Sequence, residues 1–551
     1  MELAIIFVVM LAAFMGAVFY EQKSRERKVR KWIHDSYGKV PEDRVLPFEQ
    51  IKIYWNEFGA DISGNESVDD ITWNDLEMDK IFARMNTCKS FAGEQVLYAR
   101  MHKLPEDKTG VMNLEDQIRF YAEHDKVREE VQYLLCRLGK EEVNYYLPMF
   151  MSNLDALGSI HVRFYRLMQV LLILSVIPAL VRGEASLLML TAMVFMVNAV
   201  IYALNKVRHE VYMDTLTGII GIAKSVKEIE KRPGKYTGQM PDHIRCNVKI
   251  FDQITRMLVS LQRKKREGMS GDLLGVIHDY LVGATLWDFI VYDKIIRYLR
   301  GKQKEFMELF EYLGELEAAV SIASFRESLD FYCVPEFNND PVLEMTEVYH
   351  PLIEHAVCNT VTLDRNCMIT GSNASGKSTF IKAVAANVIL AQSIHTCMAR
   401  RLRLPDALVI TSMAVRDDLM GGESYYMKEI KYLSRIVKSV KGNRMVICVI
   451  DEILRGTNTQ ERIAASAAIL EYLQNQNCLA IVASHDIELT RKLGDSYGYY
   501  FFCEQMQDKD IAFDYKIREG VSNTKNAIAL LECVGFPEII IRRARQMNAC
   551  F

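Results

Sequence analysis

The sequence predicts an α/β domain built on a doubly wound parallel sheet, preceded by an all-α helical core with transmembrane helices. Three observations predict it. A glycine-rich motif at 371–379 stands between the apolar run 367–369 and a helix-forming segment. Two further apolar runs, 445–450 and 479–483, lead directly into ionisable residues. Upstream, three long apolar stretches interrupt charged, helix-periodic sequence.

Short apolar runs bounded by turn residues suit strands buried on both faces of a parallel sheet. The run at 367–369 is the strand into a glycine turn, and Lys377 onward is the helix out of it. The turn reads Gly371, Ser372, Asn373, Ala374, Ser375, Gly376, Lys377, Ser378, Thr379, which is a P-loop. Such a turn aims backbone N–H groups and a helix N-terminus at a phosphate chain. Lys377 would reach the β- and γ-phosphates, and the Ser378 hydroxyl would bind Mg²⁺. The cofactors expected are therefore ATP and Mg²⁺.

The run 445–450 reads as a central parallel strand ending in Asp451 and Glu452. Asp451 can hold Mg²⁺, and Glu452 is placed to orient or deprotonate the attacking water. The run 479–483 delivers Ser484 and His485, whose imidazole could sense the γ-phosphate. Between the P-loop and the acidic pair, residues 417–424 form a glycine-containing loop ending in Ser424, with a helix from Tyr425. This is the order an ABC-like ATPase requires. Each element alone has a plain structural reading: an acidic pair can simply open a loop, a lone His is usually structural, and Ser424 can be an N-cap. Their joint order carries the catalytic assignment to Glu452 and His485.

Half of the 551 residues are hydrophobic, enough for two or more domains with ample cores. The net charge of −4 makes no global call for nucleic acid. Twelve cysteines lie far apart without a Cys-x-x-Cys, which excludes a zinc site and a disulfide framework and reads as reduced cysteines in a cytosolic compartment. The cluster Arg263-Lys264-Lys265-Arg266 is the best local candidate for a phosphate contact with DNA, the alternative being a solvated helix end.

The apolar stretches lie at 3–19, 167–181 and 186–204. A spanning helix needs about 20 apolar residues, with a lower limit of about 17. The second stretch is short and contains Pro178, and it pairs with the third across Arg182-Gly183-Glu184 as a membrane hairpin. Lys23, Arg25, Arg27, Lys28, Arg30 and Lys31 follow the first stretch, while Arg163, Arg166, Lys206 and Arg208 flank the hairpin. Positive residues stay inside, so the chain is expected to be a multi-pass cell-membrane protein with a cytoplasmic ATPase domain. The alternatives are a cleaved signal peptide and a hairpin buried in a soluble core.

These residues carry a resemblance. The ATPase region resembles the MutS family of DNA mismatch-repair ATPases. Residues 370–379 resemble the family's TGxNxxGKST. Asp417, Asp418, Leu419, Ser424, Met427 and Glu429 resemble its loop and helix start. Asp451, Glu452, Ile453, Arg455, Gly456 and Thr457 resemble DEIxRGT, and Ser484, His485, Glu488, Leu489 and Thr490 resemble THxxELT with Ser first. His350-Pro351 is similar to the entry of the domain, and Gly520, Asn526-Ala527-Ile528 and 534–545 to its closing helical segment. The similarity covers roughly residues 340–548. A weaker similarity upstream, at 75–79 and 85–93, matches the start of the family's helical core.

The resemblance implies a homodimer through the ATPase domain, in which Ser424 of one subunit completes the site of the other, and it implies DNA as a possible partner. Two departures qualify it. Mismatch-repair members begin with a domain bearing a Phe-x-Glu wedge, whereas only about seventy residues precede the core here, too few for a domain of that kind. The family's adenine-stacking aromatic falls near Ala356 in this chain. The expected organisation is a transmembrane anchor at 1–20, a basic juxtamembrane segment and linker at 21–65, and a MutS-core-like helical domain at 66–330 with its transmembrane hairpin at 167–204. A linker at 331–350 and the ATPase domain at 351–551 follow. The function expected is a membrane-anchored, ATP-dependent DNA clamp or conformational switch. The alternative is an ATP-driven scaffold or transport-linked ATPase without a nucleic-acid partner.

Overall fold

The computed structural model describes residues 2–42, 44–59, 66–155, 162–231, 240–252, 283–372, 375–413, 425–455, 458–507, 510–521 and 535–548. Asn373, Ala374, the loop 417–424 with Ser424, Gly456, Thr457, the Arg263–Arg266 cluster and 526–528 lie outside them. The chain forms two compact units. One contains Met1–Asp61, Asn86–Ala99 and Asp116–Ser324, the other Ile62–Met85, Arg100–Glu115 and Phe325–Phe551.

Among its described residues, the regular elements of the first unit are all helices. Its core gathers Tyr54, Phe91, Tyr145 and Phe310, with Tyr54 and Phe310 centroids 5.4 Å apart and Phe91 and Phe310 centroids 6.1 Å apart. Gly93 is legible as a packing requirement. It sits inside the helix Phe91–His102, and a Cβ there would lie 2.1 Å from Oε2 of the buried Glu317. That carboxylate accepts from Ser90 N at 3.0 Å and from Lys89 N, satisfying donors at the helix start. Burial raises the Glu317 carboxyl above its ordinary range.

Two helices, Val162–Arg182 and Ala185–Glu230, form the hairpin, with Gly183 at φ 64° in the turn. Thr191 Oγ1 donates across it to Ser175 O at 2.9 Å. Residues 162–182 and 185–205 are long and apolar enough to cross a membrane, and they bury little of that surface. Leu174, Ile177, Leu180, Met189 and Met193 are all exposed. The stretch 3–19 lies on the helix Glu2–Ser36, where the side chains of 2–15 are outside the described set. A Phe-x-Glu tripeptide does occur before the core, at Phe19-Tyr20-Glu21. It lies on that same long helix, with Glu21 paired to Arg25, and not in a globular domain.

The second unit contains two sheets. The larger has the order β10-β9-β4-β8-β7-β6, from β4 (Cys367–Thr370), β6 (Ala407–Ser412), β7 (Met445–Asp451), β8 (Cys478–Ala483), β9 (Gly498–Gln507) and β10 (Asp510–Glu519). Five strands are parallel and β10 is antiparallel to β9. β6 and β7 are buried at every position, and β7 is an uninterrupted apolar run up to Asp451. The smaller sheet has the order β1-β5-β2-β3, from β1 (Glu336–Asn338), β2 (Leu343–Val348), β3 (Asn359–Leu363) and β5 (Arg401–Pro405).

Residues 331–350 therefore differ from the linker read on sequence. Leu343, Met345 and Val348 bury one side of β2, a short alternation masked by the neighbouring prolines and asparagines. The segments 66–85 and 100–115, read as helical core, pack in the sheet-bearing unit. Asp75 accepts from Thr411 Oγ1 at 2.6 Å and Met413 N at 3.1 Å, and Arg444 donates to Leu104 O at 2.7 Å.

Candidate functional site

Three neighbouring strands end along one line. Ile369 of β4 and Asp451 of β7 both register with Ala483 of β8, which lies between them. Ser484 N donates to Ile369 O at 3.0 Å, and Glu452 N donates to Ala483 O at 2.9 Å, so the ladder continues one residue past each strand. Ligands of open α/β sheets bind outside such carboxyl ends.

From β4 the chain enters the glycine turn and then the helix Lys377–Ile394. Gly371 has φ 135° and Gly376 φ 101°, conformations that L side chains rarely adopt. A Cβ on Gly371 would lie 2.7 Å from Phe502 O, so space as well as dihedral requires glycine. Ser375 caps the turn by donating to Ser372 O at 2.7 Å. The buried Lys377 donates to Gly371 O at 2.5 Å and Ser372 O at 2.6 Å, which holds its ammonium against the turn. Ser372 Oγ is buried without a partner among the described residues. A narrow turn with an unsatisfied hydroxyl and a buried cation fits a phosphate chain. Ser378 and Thr379 lie in the first turn of the helix.

Asp451 is buried at the end of β7. With Ser378 it offers two hard oxygen donors and no full cage, a set that fits Mg²⁺ held partly by substrate phosphates. Glu452 has φ 63° and Leu454 φ 56°, both strained for side chains of that kind, and strain of this sort concentrates at functional sites. The Glu452 carboxylate pairs with His485 Nδ1 at 2.9 Å and with Arg455. Burial works to raise this carboxyl, but the His485 hydrogen bond and the Arg455 and Lys377 charges outweigh it and leave it below the ordinary range. The same hydrogen bond raises the His485 imidazole above its ordinary range.

The structure thus brings Gly371, Ser372, Ser375, Gly376, Lys377, Asp451, Glu452 and His485 to the ends of adjacent strands. Arg462, Asp486, Tyr515 and Asn359 were missed on sequence, and Glu429 was read there only through the family resemblance. Glu429, on the helix Tyr425–Ser439, accepts from Arg455 N at 3.2 Å and steadies the turn after β7. Arg462 forks onto Asp486 at 2.8 and 3.0 Å beside His485. Tyr515, at φ 52° in the irregular stretch of β10, lies against the glycine turn: a Cβ on Gly376 would be 3.0 Å from its ring. Asn359 fixes that stretch, donating to Tyr515 O at 3.0 Å and accepting from Ile517 N at 2.9 Å.

Residues 367–551 match MutS domain V, the ATPase domain of its family. The DNA mismatch repair protein MutS of Pseudothermotoga lettingae is 31% identical over 268 residues, covering 47% of this chain and 33% of that protein. Its counterpart in Ruminiclostridium cellulolyticum is 30% identical over 252 residues, covering 43% and 28%. That of Thermotoga maritima is 31% identical over 257 residues, covering 45% and 32%. The match therefore spans about a third of the length of these relatives. Residues 367–551 therefore match a MutS-type domain V, and the similarity to the DNA mismatch repair proteins MutS covers less than half of this chain.

Proposed function

We propose that this chain is a membrane-embedded, Mg²⁺-dependent ATPase that acts as a dimeric conformational switch on DNA. The observation that carries the reading is the convergence of the glycine turn, Asp451-Glu452 and His485 at the ends of three adjacent strands. The turn N–H groups and Lys377 bind the phosphates, and Ser378 and Asp451 would hold Mg²⁺, which would supply charge neutralisation there. Glu452 takes the proton of the attacking water. His485 orients Glu452 and faces the γ-phosphate, and Tyr515 offers a ring beside the glycine turn. Ser424 of a second subunit completes the site, so hydrolysis is coupled to dimerisation.

The test is phosphate release by the detergent-solubilised protein with and without Mg²⁺. Lys377→Ala should weaken ATP binding, and wild-type affinity in that variant would overturn the assignment. Membrane embedding is supported by the long, exposed apolar hairpin. A Gly183→Cys variant should react with an impermeant thiol reagent from outside the cell, while a reporter fused after Phe551 stays inside. Recovery of the chain in the soluble fraction without detergent would sink that part.

The near-balanced charge favours a second reading, a membrane scaffold with no nucleic-acid partner. Salt-dependent DNA binding separates the two, because phosphate contacts make log K fall linearly with log salt.

A further inference from the structure

At the open end of the hairpin, three helices of the helical unit meet in one cluster. Tyr165 of Val162–Arg182, Tyr202 of Ala185–Glu230, and Leu286 and Phe289 at the start of Trp287–Leu299 pack together. Tyr165 stacks on Phe289 with centroids 5.0 Å apart, and Tyr202 lies 5.8 Å from the same ring. Gln169 Nε2 donates to Thr285 O at 2.7 Å. A Cβ on Gly283 would stand 2.3 Å from the Tyr202 ring, so the chain runs tight against the hairpin there. The segment 283–290 is thus fastened to the base of the two apolar helices.

The position of this cluster along the hairpin is informative. Tyr165 precedes the turn residue Gly183 by 18 positions, and Tyr202 follows it by 19. At 1.5 Å per residue both rings lie about 27–29 Å from the turn. That is close to the roughly 30 Å thickness of a bilayer's hydrocarbon core. Between the cluster and the turn, the outward side chains are apolar. At the level of the cluster the surface changes. Phe164 and Trp287 are about half exposed, and Arg163 and Arg166 are exposed beside them. Lys294, two turns along from Trp287 on the same side of its helix, is exposed as well. Aromatic rings with arginines beside them at the end of an apolar stretch are the composition of a membrane–water interface.

We propose that Trp287 and Phe164, with the Tyr165–Tyr202–Phe289 cluster behind them, form an interfacial belt. The start of the helix Trp287–Leu299 then rests in the headgroup layer, on the membrane face that carries the helical unit. Arg163, Arg166 and Lys294 meet lipid phosphates at that level. This rests on the membrane reading of the hairpin and adds a third element to it, a helix that lies at the surface without crossing.

The test compares wild type with Trp287→Phe, keeping the other three tryptophans in place. Both are reconstituted into phosphatidylcholine vesicles containing lipid brominated either near the headgroup or near the chain end, and vesicle association is checked by flotation. Shallow bromines should quench wild-type fluorescence more than deep ones, and at least half of that quenching should disappear in Trp287→Phe. If both proteins float and the variant is quenched as much as wild type, or if deep bromines quench Trp287 better, the interfacial placement is overturned. If neither protein floats with the vesicles, the membrane reading itself fails.

Discussion

Glu452→Gln separates nucleotide binding from hydrolysis. The substitution keeps the side-chain volume and a hydrogen-bonding carbonyl, so the packing of a nearly buried group is preserved. What it removes is the charge and the ability to take a proton. General-base removal lowers rates by about 10²–10⁴, or roughly 3–5 kcal/mol of barrier. The glycine turn and Lys377 are untouched, and ATP affinity should stay within a few-fold of wild type. Single-turnover phosphate release and fluorescent-nucleotide titration measure the two quantities independently. Wild-type turnover would refute the catalytic assignment, and loss of ATP binding would show that Glu452 supports the turn instead of the chemistry.

The same pair sets a pH window. The Glu452 carboxyl is held below its ordinary 4.5, so its contribution is present above that value and fades as pH falls through the lowered one. The His485 imidazole is raised above 6.5, so its contribution is complete below 6.5 and fades as pH rises through the raised value. Their ion pair is therefore intact between these limits. His485→Ala should lower thermal stability within that window and lose its effect on the alkaline side. A stability difference that grows with pH above 6.5 would contradict the pairing.

Further outcomes follow from individual contacts. Gly371→Ala places a Cβ 2.7 Å from Phe502 O at φ 135° and should weaken ATP binding at least tenfold by titration. Ser424→Arg should abolish hydrolysis while leaving ATP binding, and ATP should shift Glu452→Gln toward a dimer by light scattering. A monomer at saturating ATP would argue against the shared site. Asp75→Ala leaves the buried Thr411 hydroxyl and the Met413 N–H without their acceptor, at about 1–3 kcal/mol for an unsatisfied buried group, readable as a lower denaturation midpoint. Any DNA binding should come from phosphate contacts, which position without specifying. Matched and single-mismatch duplexes at one salt concentration should therefore differ by less than about tenfold, or roughly 1.4 kcal/mol.

The strands that build the site were legible because their sequence signal is local. β4, β7 and β8 are unbroken apolar runs that end in the residues they deliver, and each begins within a residue of its expected place. The glycines were legible for the same reason, since the turn geometry depends on a few consecutive dihedrals. What stayed hidden depends on long-range pairing. Tyr515 reaches the glycine turn from β10, far along the chain, through an irregular register that no period reveals. β2 escaped because its alternation is brief and lies among turn formers. Glu429 was legible only as a motif position, and its hydrogen bond from the backbone of Arg455 exists only in the folded unit.

The segment 66–85 shows how such pairing shapes the ATPase unit. β6 is the outermost strand on its side of the six-stranded sheet, leaving a row of backbone groups without a neighbouring strand. Successive N–H groups on one edge recur every second residue. Here Thr411 N donates to Thr72 Oγ1 at 3.2 Å and Met413 N to Asp75 at 3.1 Å, so side chains of the helix Asp70–Asp75 and its C-cap-side residues take the place of a ladder. Asp69 caps that helix through Thr72 N at 2.8 Å and also pairs with Arg435 at 2.5 Å, tying in the helix Tyr425–Ser439. The edge is thus closed by polar groups from a segment more than three hundred residues earlier in sequence. A chain begun at 351 would leave the Thr411 and Met413 donors and the Arg435 guanidinium without these acceptors. The six-stranded sheet is therefore a product of two separated stretches of sequence, and the upstream one is part of its fold, not an appendage to it.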